Sequence, residues 1–324
     1  MAVKTEIGPR VYQEAIGAAV LNYSPPNDRA AIIRRISIQA VSGNDTWTVS
    51  VAGRELMRFR VLTTGNQRLL FLPTAGSTGA TQAYRPNFFD WCRNVLGMDP
   101  SISVPLGMTL SIASVGGATA TIVVEGKEVD RADADIVGLN HYKGNVFLMP
   151  ITWFLNAAFS GAAGGAVQLD TQVAPAYVPA LFSNAQLPAG WKVELLALFL
   201  EGAGVNTFSG AANHQSATRD LQVFKAQTQL FTRTGHGITN IGSASAAGSA
   251  NTVLAQAASM FPPFEQSGDN ADSILEVPLQ VQTGEAMQLL HELTGDGTGG
   301  ASYATALQVA IARVTVPLSS AGAL

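Results

Sequence analysis

The chain has 324 residues, enough for two domains of about 130 to 180 residues each. Its 19 basic and 23 acidic residues give a net charge of -4 with no basic run at either end, which argues against direct binding of nucleic acid. Charged residues make up only 13% of the chain and hydrophobic residues 47%, so we expect a weakly polar surface that partner proteins cover.

Signals for export and for disulfide formation are missing from the sequence. The N-terminus has no apolar signal core, and no stretch reaches about 18 uninterrupted apolar residues, so we expect synthesis in the cytoplasm and no membrane span. The single cysteine, Cys92, cannot form a disulfide within the chain. We therefore expect packing and contacts between subunits to supply the stability.

The first predicted element is a short helix over residues 10–22, which Ser24-Pro25-Pro26 would end. The same residues could instead form an arm that lies on a neighbouring subunit. Residues 1–29 are accordingly predicted to stand apart from the first domain as an N-terminal arm or helix.

From residue 30 onward the pattern changes to short β-strands separated by turns. Residues 46–52 alternate strictly, with Trp47, Val49 and Val51 on one side and Thr or Ser on the other, which predicts one buried and one exposed face. Short strands with frequent turns are typical of a sandwich or barrel and not of a parallel α/β sheet. Further strands are predicted over 32–41, 56–62 and 68–72.

One helix is predicted within the first half, over residues 87–96. Asn87 is a good N-cap with Asp90 three residues on, and Gly97 supplies a C-terminal stop. Because Cys92 falls on the apolar stripe with no histidine nearby, we expect a buried structural cysteine and not a nucleophile. The predicted buried stripe consists of Phe88, Trp91, Cys92, Val95 and Leu96.

A Val-Pro-Leu segment occurs twice, 173 residues apart, at 104–106 and at 277–279. The first leads into a strand over 108–114, a Gly-Gly turn and a strand over 118–125. The second leads into a strand over 280–290, a glycine-rich turn over 295–300 and a strand over 304–316. This shared order predicts one architecture used twice. The predicted core therefore includes Trp47, Val104, Leu106, Val277 and Leu279.

The second half reads as β-strands like the first. Its strongest strand is predicted over 191–200, in the position that 32–41 holds in the first half, and a second short helix is predicted over 253–260. A loop of small residues over 235–251 is expected at the surface or at a subunit contact. The predicted domains are a first β-sandwich or barrel at 30–130, a hinge at 131–145, a second β-sandwich or barrel at 146–318 and a tail at 319–324.

No catalytic or cofactor motif is found in the sequence. His141, His214, His236 and His291 have no metal-binding or catalytic spacing, and the glycines of 295–300 open no helix that could hold a phosphate. We therefore predict no catalytic residue, no cofactor and no metal. Weak calcium candidates are the oxygen ligands Asp130, Asp133 and Asp135 in the hinge.

Two β-rich domains in tandem over residues 30–316, with few charges and the repeated Val-Pro-Leu segment, resemble the double jelly-roll major capsid proteins of tailless, membrane-containing icosahedral bacteriophages, which share the fold of the adenovirus hexon. The resemblance implies an all-β fold of two tandem jelly-roll barrels or sandwiches with short flanking helices. It also implies a structural virion protein that is no enzyme and self-assembles into an icosahedral capsid.

The partners that this resemblance implies are other proteins of a virion. The chain would form a homotrimer with a pseudo-hexagonal outline and contact neighbouring capsomers and penton or minor capsid proteins. An internal membrane would lie beneath the shell, facing residues 1–26, while the loops 160–190 and 233–252 would form towers or subunit contacts. The protein would then reside in the virion after synthesis in the host cytoplasm.

Three alternatives from other classes stay open at this point. One is a carbohydrate-binding or receptor-binding β-sandwich such as a spike or lectin, although aromatic residues total only 7%. Another is a two-domain jelly-roll hydrolase acting on glycans, similar to peptide N-glycosidases. The third is the mixed α/β shell protein of tailed phages, which would need a long spine helix and a charged arm that the sequence does not show.

Overall fold

The computed structural model shows an all-β protein, as the sequence predicted, that divides into two compact units between Met149 and Pro150. The described residues are 10–26, 28–61, 87–94, 96–130, 140, 144–154, 159–160, 165–168, 171–181, 183–202, 204–206, 208–209, 218–225, 228–233, 251–253, 258–259, 274–294, 300–301 and 306–317. The predicted strand over 68–72 lies outside them.

In the first unit, the described residues form eight strands and one short helix. They are β1 (Arg10–Ala18), β2 (Val20–Tyr23), β3 (Ala30–Gln39), β4 (Asp45–Val51), β5 (Arg54–Val61), α1 (Phe88–Asn94), β6 (Ile102–Val104), β7 (Leu110–Ser114) and β8 (Ala120–Val129).

These eight strands form two four-stranded antiparallel sheets, in the orders β1-β8-β3-β6 and β2-β7-β4-β5. The eight strands correspond to one long hairpin, in which β1 pairs with β8, β2 with β7, β3 with β6 and β4 with β5. The hairpin folds over on itself, so that β8 also pairs with β3 and β7 also pairs with β4. This arrangement is the jelly roll.

Alternation of side chains builds the core between the two sheets. Along β4, Trp47, Val49 and Val51 are buried while the Thr and Ser between them are half-exposed, as the sequence predicted. Ile112 of β7 and Ile122 of β8 are likewise fully buried. A one-residue slip would turn each apolar set toward solvent, so burial specifies the register.

Residues 10–22 are not the helix that the sequence predicted. They form β1 and β2, which pair with β8 and β7, and so belong to the two sheets of the first unit. Residues 10–18 bury only Val11 fully, so their apolar pattern has no helical face to pack. The conformation of these residues is therefore set by hydrogen-bonded pairing with β8 and not by their local helix propensity.

Helix α1 has the cap and the stop that the sequence predicted. The Asn87 side-chain oxygen accepts hydrogen bonds from the backbone amides of Phe89 and Asp90, at 3.0 and 3.2 Å. Gly97 has a φ of +65°, and the Met98 amide next to it donates to the Cys92 carbonyl at 3.0 Å.

The second unit contains the remaining strands. They are β9 (Val146–Phe154), which begins before the division, β10 (Phe159–Ser160), β11 (Gly165–Gln168), β12 (Thr171–Val173), β13 (Ser183–Gln186), β14 (Lys192–Gly202), β15 (Gly204–Asn206), β16 (Phe208–Ser209), β17 (Thr218–Lys225), β18 (Thr228–Arg233), β19 (Asn251–Val253), β20 (Ala258–Ser259), β21 (Ile274–Gln282), β22 (Ala286–Thr294), β23 (Gly300–Ala301) and β24 (Ala306–Thr315).

The sheets of the second unit repeat the strand order of the first. β9, β24, β14 and β21 are neighbours in that order, as are β11, β22, β17 and β18, while β13 also pairs with β22. The succession β6, β7, β8 therefore corresponds to β21, β22, β24. The two Val-Pro-Leu segments begin in corresponding strands but at different points, since Val104 ends β6 whereas Val277 lies inside β21. Short strands extend this arrangement: β12 pairs with β9 and β20 pairs with β14. Two further small sheets consist of β10, β23 and β16 and of β15 and β19.

A bulge also repeats between the units. The pairing of β3 with β8 shifts between Ile33 and Arg35, and the pairing of β14 with β24 shifts between Leu195 and Ala197. In both cases the extra residue is the fifth of its strand, Arg34 or Leu196. Bulges are specific features that bend a strand, so a shared position supports one architecture used twice.

Two details of the second half differ from the prediction. The predicted strand over 280–290 is broken by a turn at Gly284, whose φ is +79°, so it becomes the end of β21 and the start of β22. The predicted helix over 253–260 is not formed, because Asn251–Val253 and Ala258–Ser259 are strands that pair with β15 and β14.

Gly126 of β8 allows the backbone of β3 to come close at the bulge. It lies opposite Ile33, and a Cβ at this position would stand 2.3 Å from the Ile32 carbonyl oxygen. Since the blocking atom belongs to backbone, no side-chain rotation relieves the overlap.

We expect Gly126→Ala to lower the free energy of unfolding of the first unit by about 1–3 kcal/mol, because β8 and β3 must separate to admit the methyl group. Gly43→Ala is the matched control: a Cβ there meets nothing within 4 Å, so a change within about 0.5 kcal/mol is expected. Urea titrations of both variants check this, and equal unfolding of Gly126→Ala and wild type would contradict the close approach.

Candidate assembly surface

Among the residues whose side-chain exposure the structure describes, the large hydrophobic ones that stay exposed lie in the first unit. Tyr12 is 51% exposed, Ile16 79%, Val20 47% and Val115 59%. Scattered exposed apolar residues are ordinary, whereas a group on one surface indicates a contact with a partner.

Backbone pairing places Ile16, Val20 and Val115 around the point where β1 passes into β2. Val20 lies opposite Ala113 in the β2–β7 ladder, and the Ser114 amide donates to the Ala19 carbonyl at 2.9 Å. Val115 follows directly in the chain, and its amide donates to the Thr46 carbonyl at 2.8 Å. We call Ile16, Val20 and Val115 the apolar corner.

Asp45 fixes the turn that carries Val115. Its carboxylate accepts a hydrogen bond from the Ser114 hydroxyl and from the backbone amides of Gly116, at 2.9 Å, and Ala118, at 3.0 Å. The Thr46 amide is a further donor, at 2.6 Å. The carboxylate therefore ties the start of β4 to both sides of the turn between β7 and β8.

The packing against Asp45 also explains the glycine in this turn. A Cβ at Gly116 would lie 2.7 Å from the Asp45 Oδ1 atom. Burial raises the pKa of Asp45, but the hydrogen bonds from Ser114, Ala118, Thr46 and Gly116 together outweigh it and hold the pKa below its ordinary value.

The first sheet carries a row of paired charges that links β1 to α1. The Arg10 guanidinium lies 2.8 Å from Glu125 of β8, and Arg35 of β3 lies 3.7 Å from the same carboxylate. Arg35 continues to Asp90 of α1 at 3.3 Å, and Asp90 pairs with Arg93 at 3.0 Å. These charges find partners within the subunit, unlike the side chains of the apolar corner.

A buried carboxylate in the second unit was not foreseen from the sequence. Glu194 of β14 is 4% exposed and lies opposite Arg313 of β24, whose Nε atom is 2.5 Å from its carboxylate. Lys192 and Gln280 of β21 complete its contacts, at 3.1 and 3.2 Å. The hydrogen bond from Arg313 is the main reason that the pKa of Glu194 is lowered. Because its partners come from three adjacent strands, Glu194 joins them.

The residues predicted to form the core are placed as follows. The buried ones are Trp47, Phe88, Trp91, Cys92 and Val104. Val95 and the side chains of Val277 and Leu279 lie outside the described residues, although β21 contains the backbone of the latter two.

Leu96 and Leu106 are half-buried and do not belong to the core, contrary to the prediction. Leu96 comes after the end of α1 at Asn94, so the helical spacing no longer applies to it. Leu106 stands in the turn before Gly107, whose φ is +75°, and not in β6. Phe89 was not part of the predicted apolar stripe, yet it is buried.

Cys92 is fully buried, and burial raises the pKa of its thiol well above the ordinary range. A thiol held protonated in an apolar core is a poor nucleophile, which agrees with the structural role expected from the sequence.

The candidate metal ligands stay a prediction. Asp130 follows β8, and Asp133 and Asp135 lie outside the described residues. Across the described part of the chain, no group of three His, Cys, Asp or Glu side chains could hold a metal ion. His141, His214 and His236 also lie outside that part, and His291 stands in β22 opposite Leu221 of β17.

No helix within the described ranges is long and apolar enough to cross a membrane.

Comparison with known proteins finds likenesses in structure alone. No family model and no curated protein matches the sequence. Among solved structures, the chain is similar to the major capsid protein P2 from bacteriophage PM2, with 12% identity, 95% of this chain and 98% of that chain covered, and a TM-score of 0.36. The STIV MCP shows 14% identity, 97% and 98% coverage and a TM-score of 0.34.

PNGase F, a glycosylasparaginase from Flavobacterium meningosepticum, is also similar, with 11% identity, 95% and 99% coverage and a TM-score of 0.24. The similar structures thus include capsid proteins and an enzyme. At such low identities and TM-scores, neither likeness carries an argument about function.

We expect Asp45→Asn to lower the free energy of unfolding by about 1–3 kcal/mol at neutral pH, because the amide accepts fewer of the converging hydrogen bonds and brings its own N–H groups. The lowered pKa of Asp45 adds stability that is complete above its ordinary value of 3.8 and is lost as pH falls through the folded value.

The difference between wild type and Asp45→Asn should therefore shrink in acid, which urea titrations between about pH 7 and pH 2 would measure. Exposed Asp28 provides the control, since Asp28→Asn should match wild type at neutral pH within about 0.5 kcal/mol. A difference for Asp45→Asn that is constant with pH would contradict the role of the charge.

Proposed function

We propose that this chain is the structural subunit of a virion shell and that it acts by assembling with copies of itself. The observation that carries the proposal is the apolar corner: among the residues whose side chains are described, Ile16, Val20 and Val115 are large hydrophobic residues that stay exposed close to one another. Exposed apolar area at one place is best stabilised by a partner that removes it from water.

The corner is built to keep its shape before any partner binds. Asp45 holds the turn that carries Val115, and the paired strands β2 and β7 hold Val20. An interface whose side chains are already positioned loses little conformational entropy on association. This favours a contact repeated many times with the same geometry, as a shell requires.

The repeated jelly roll supports the same proposal. A subunit with two units of one strand order offers two similar blocks, so three copies around a threefold axis present six blocks in a pseudo-hexagonal ring. Such a ring can tile a surface with its copies in nearly equivalent positions. We therefore propose a homotrimer as the building block of a bacteriophage capsid, with other virion proteins and an internal membrane as further partners.

The hydrogen bonds that the two buried carboxylates, Asp45 and Glu194, make within the subunit argue against a catalytic role. Asp45 and Glu194 both accept several hydrogen bonds from their own unit, and both have a lowered pKa. A general acid needs a raised pKa and a lone pair or proton directed at a substrate. Neither carboxylate offers this, so we propose no enzymatic activity and do not favour the glycan hydrolase.

We expect the purified protein to assemble, and Ile16→Asp to prevent it, because association would bury the new charge without a partner. Light scattering coupled to gel filtration should give a mass of at least three times 33.8 kDa for wild type and a smaller mass for the variant. At concentrations low enough that both proteins are monomeric, their urea unfolding should be equal, since residue 16 is exposed in the subunit.

The control is Ala52→Asp, which adds the same charge at the exposed turn between β4 and β5 and should assemble like wild type. A wild-type protein that stays monomeric at every concentration would overturn the proposal, and assembly of Ile16→Asp with wild-type affinity would remove the apolar corner as its basis.

A further inference from the structure

In the first unit, the sheet β1-β8-β3-β6 has two edges that differ in what covers their free backbone groups. β6 pairs only with Ala31 to Ile33 of β3, and no other strand of the described residues lies along the rest of that edge. There α1 takes its place: the Asn87 Nδ2 atom donates to the Ile36 carbonyl at 3.0 Å, and the Arg93 Nη1 atom donates to the Arg34 carbonyl at 2.8 Å. Side chains of α1 thus satisfy backbone groups that an edge strand leaves open.

The opposite edge is β1, and it has no such cover among the described residues. β1 is nine residues long and pairs with β8 along one side, while no described strand pairs with its other side. A long edge strand presents a row of backbone donors and acceptors that can pair with another chain.

The side chains of β1 carry a charge pattern that is complementary to itself. Arg10, Tyr12 and Glu14 alternate along the strand, so they share one face, and all three are exposed. If two β1 strands lie antiparallel about a twofold axis at Tyr12, Arg10 of each lies opposite Glu14 of the other. Both cross-strand ion pairs then form together, with the two Tyr12 rings opposite each other.

Other registers lose this match. An axis at Glu14 would place the two Glu14 carboxylates opposite each other, and an axis at Gln13 would place Arg10 opposite Ile16. Contacts within the subunit leave Arg10 and Glu14 able to form these ion pairs. Arg10 donates to Glu125 through one nitrogen of its guanidinium and keeps further N–H donors, and Glu14 accepts from Tyr12 through one oxygen and keeps further lone pairs.

We propose that β1 pairs antiparallel with β1 of a second copy of this chain, centred on Tyr12, so that the first sheet continues across two subunits. This inference rests on the proposed self-assembly and names one of its contacts. The contact is isologous, with the same strand on both sides, and would join two trimers across a twofold axis of the shell.

The test uses two charge reversals, Arg10→Glu and Glu14→Arg. Each variant alone places like charges opposite each other at both ends of the pairing. A 1:1 mixture restores two opposite pairs, because one chain then carries glutamate at both positions and the other carries arginine at both. A loss of folding or of the Arg10–Glu125 contact would not be rescued by mixing, so rescue reports the pairing itself.

We expect each single variant to associate on the order of tenfold more weakly than wild type and the mixture to recover most of that loss. Sedimentation velocity of the two variants and of their mixture measures this, with circular dichroism as the check on folding. Gln13→Glu adds a charge to β1 at a position outside this match, and its mixture with Arg10→Glu restores only one of the two ion pairs, so its recovery should be clearly smaller.

Wild-type association together with absence of rescue in the mixture would overturn the β1 pairing and leave self-assembly standing. A monomeric wild type would remove the proposed function and this inference together. Single variants that associate as tightly as wild type would also contradict the pairing.

Discussion

An antiparallel sheet satisfies its backbone groups only between its strands, so each of its two outermost strands keeps one unpaired side. In the first unit this constraint is met in two ways. Helix α1 and its N-cap cover the free part of β3 through the side chains of Arg93 and Asn87, whereas no strand of the described residues covers the outer side of β1. The covered edge contributes to the stability of the subunit, and the open edge is the one available to a neighbour.

Close approach of strands imposes a second constraint, within the core. The pairing of β3 with β8 joins the halves of the rolled hairpin, and it needs a bulge at Arg34 and a glycine at residue 126 to let the strands approach. The second unit has its bulge at the same strand position, at Leu196, but has Ala312 opposite Leu195 where the first unit has Gly126 opposite Ile33. The architecture is repeated while the residue at this point of close approach differs.

Local pattern was sufficient to predict several elements. The strict alternation around Trp47 predicted β4, and the capping residue Asn87 with its apolar stripe predicted α1. The repeated Val-Pro-Leu segment predicted that β6 to β8 would recur as β21, β22 and β24. These features depend on residues that are close in sequence, which is why one chain was enough to find them.

The assembly surface depends on contacts that span long separations, and these were missed. Residues 10–22 were predicted to form a short helix, yet β1 and β2 exist because β8 and β7 lie beside them about a hundred residues later. Asp45 meets the turn after Ser114 only once β4 and β7 are paired. Likewise, only the register of β14 with β24 shows that Glu194 faces Arg313.

Electron cryomicroscopy of the purified protein, frozen at concentrations where it associates, tests the central claim most directly. The account predicts closed shells whose repeating unit contains three copies of the chain, each contributing two jelly rolls. Images that show only separate monomers, at every concentration and salt condition, would contradict it and return the glycan-binding and glycan-hydrolysing alternatives to first place.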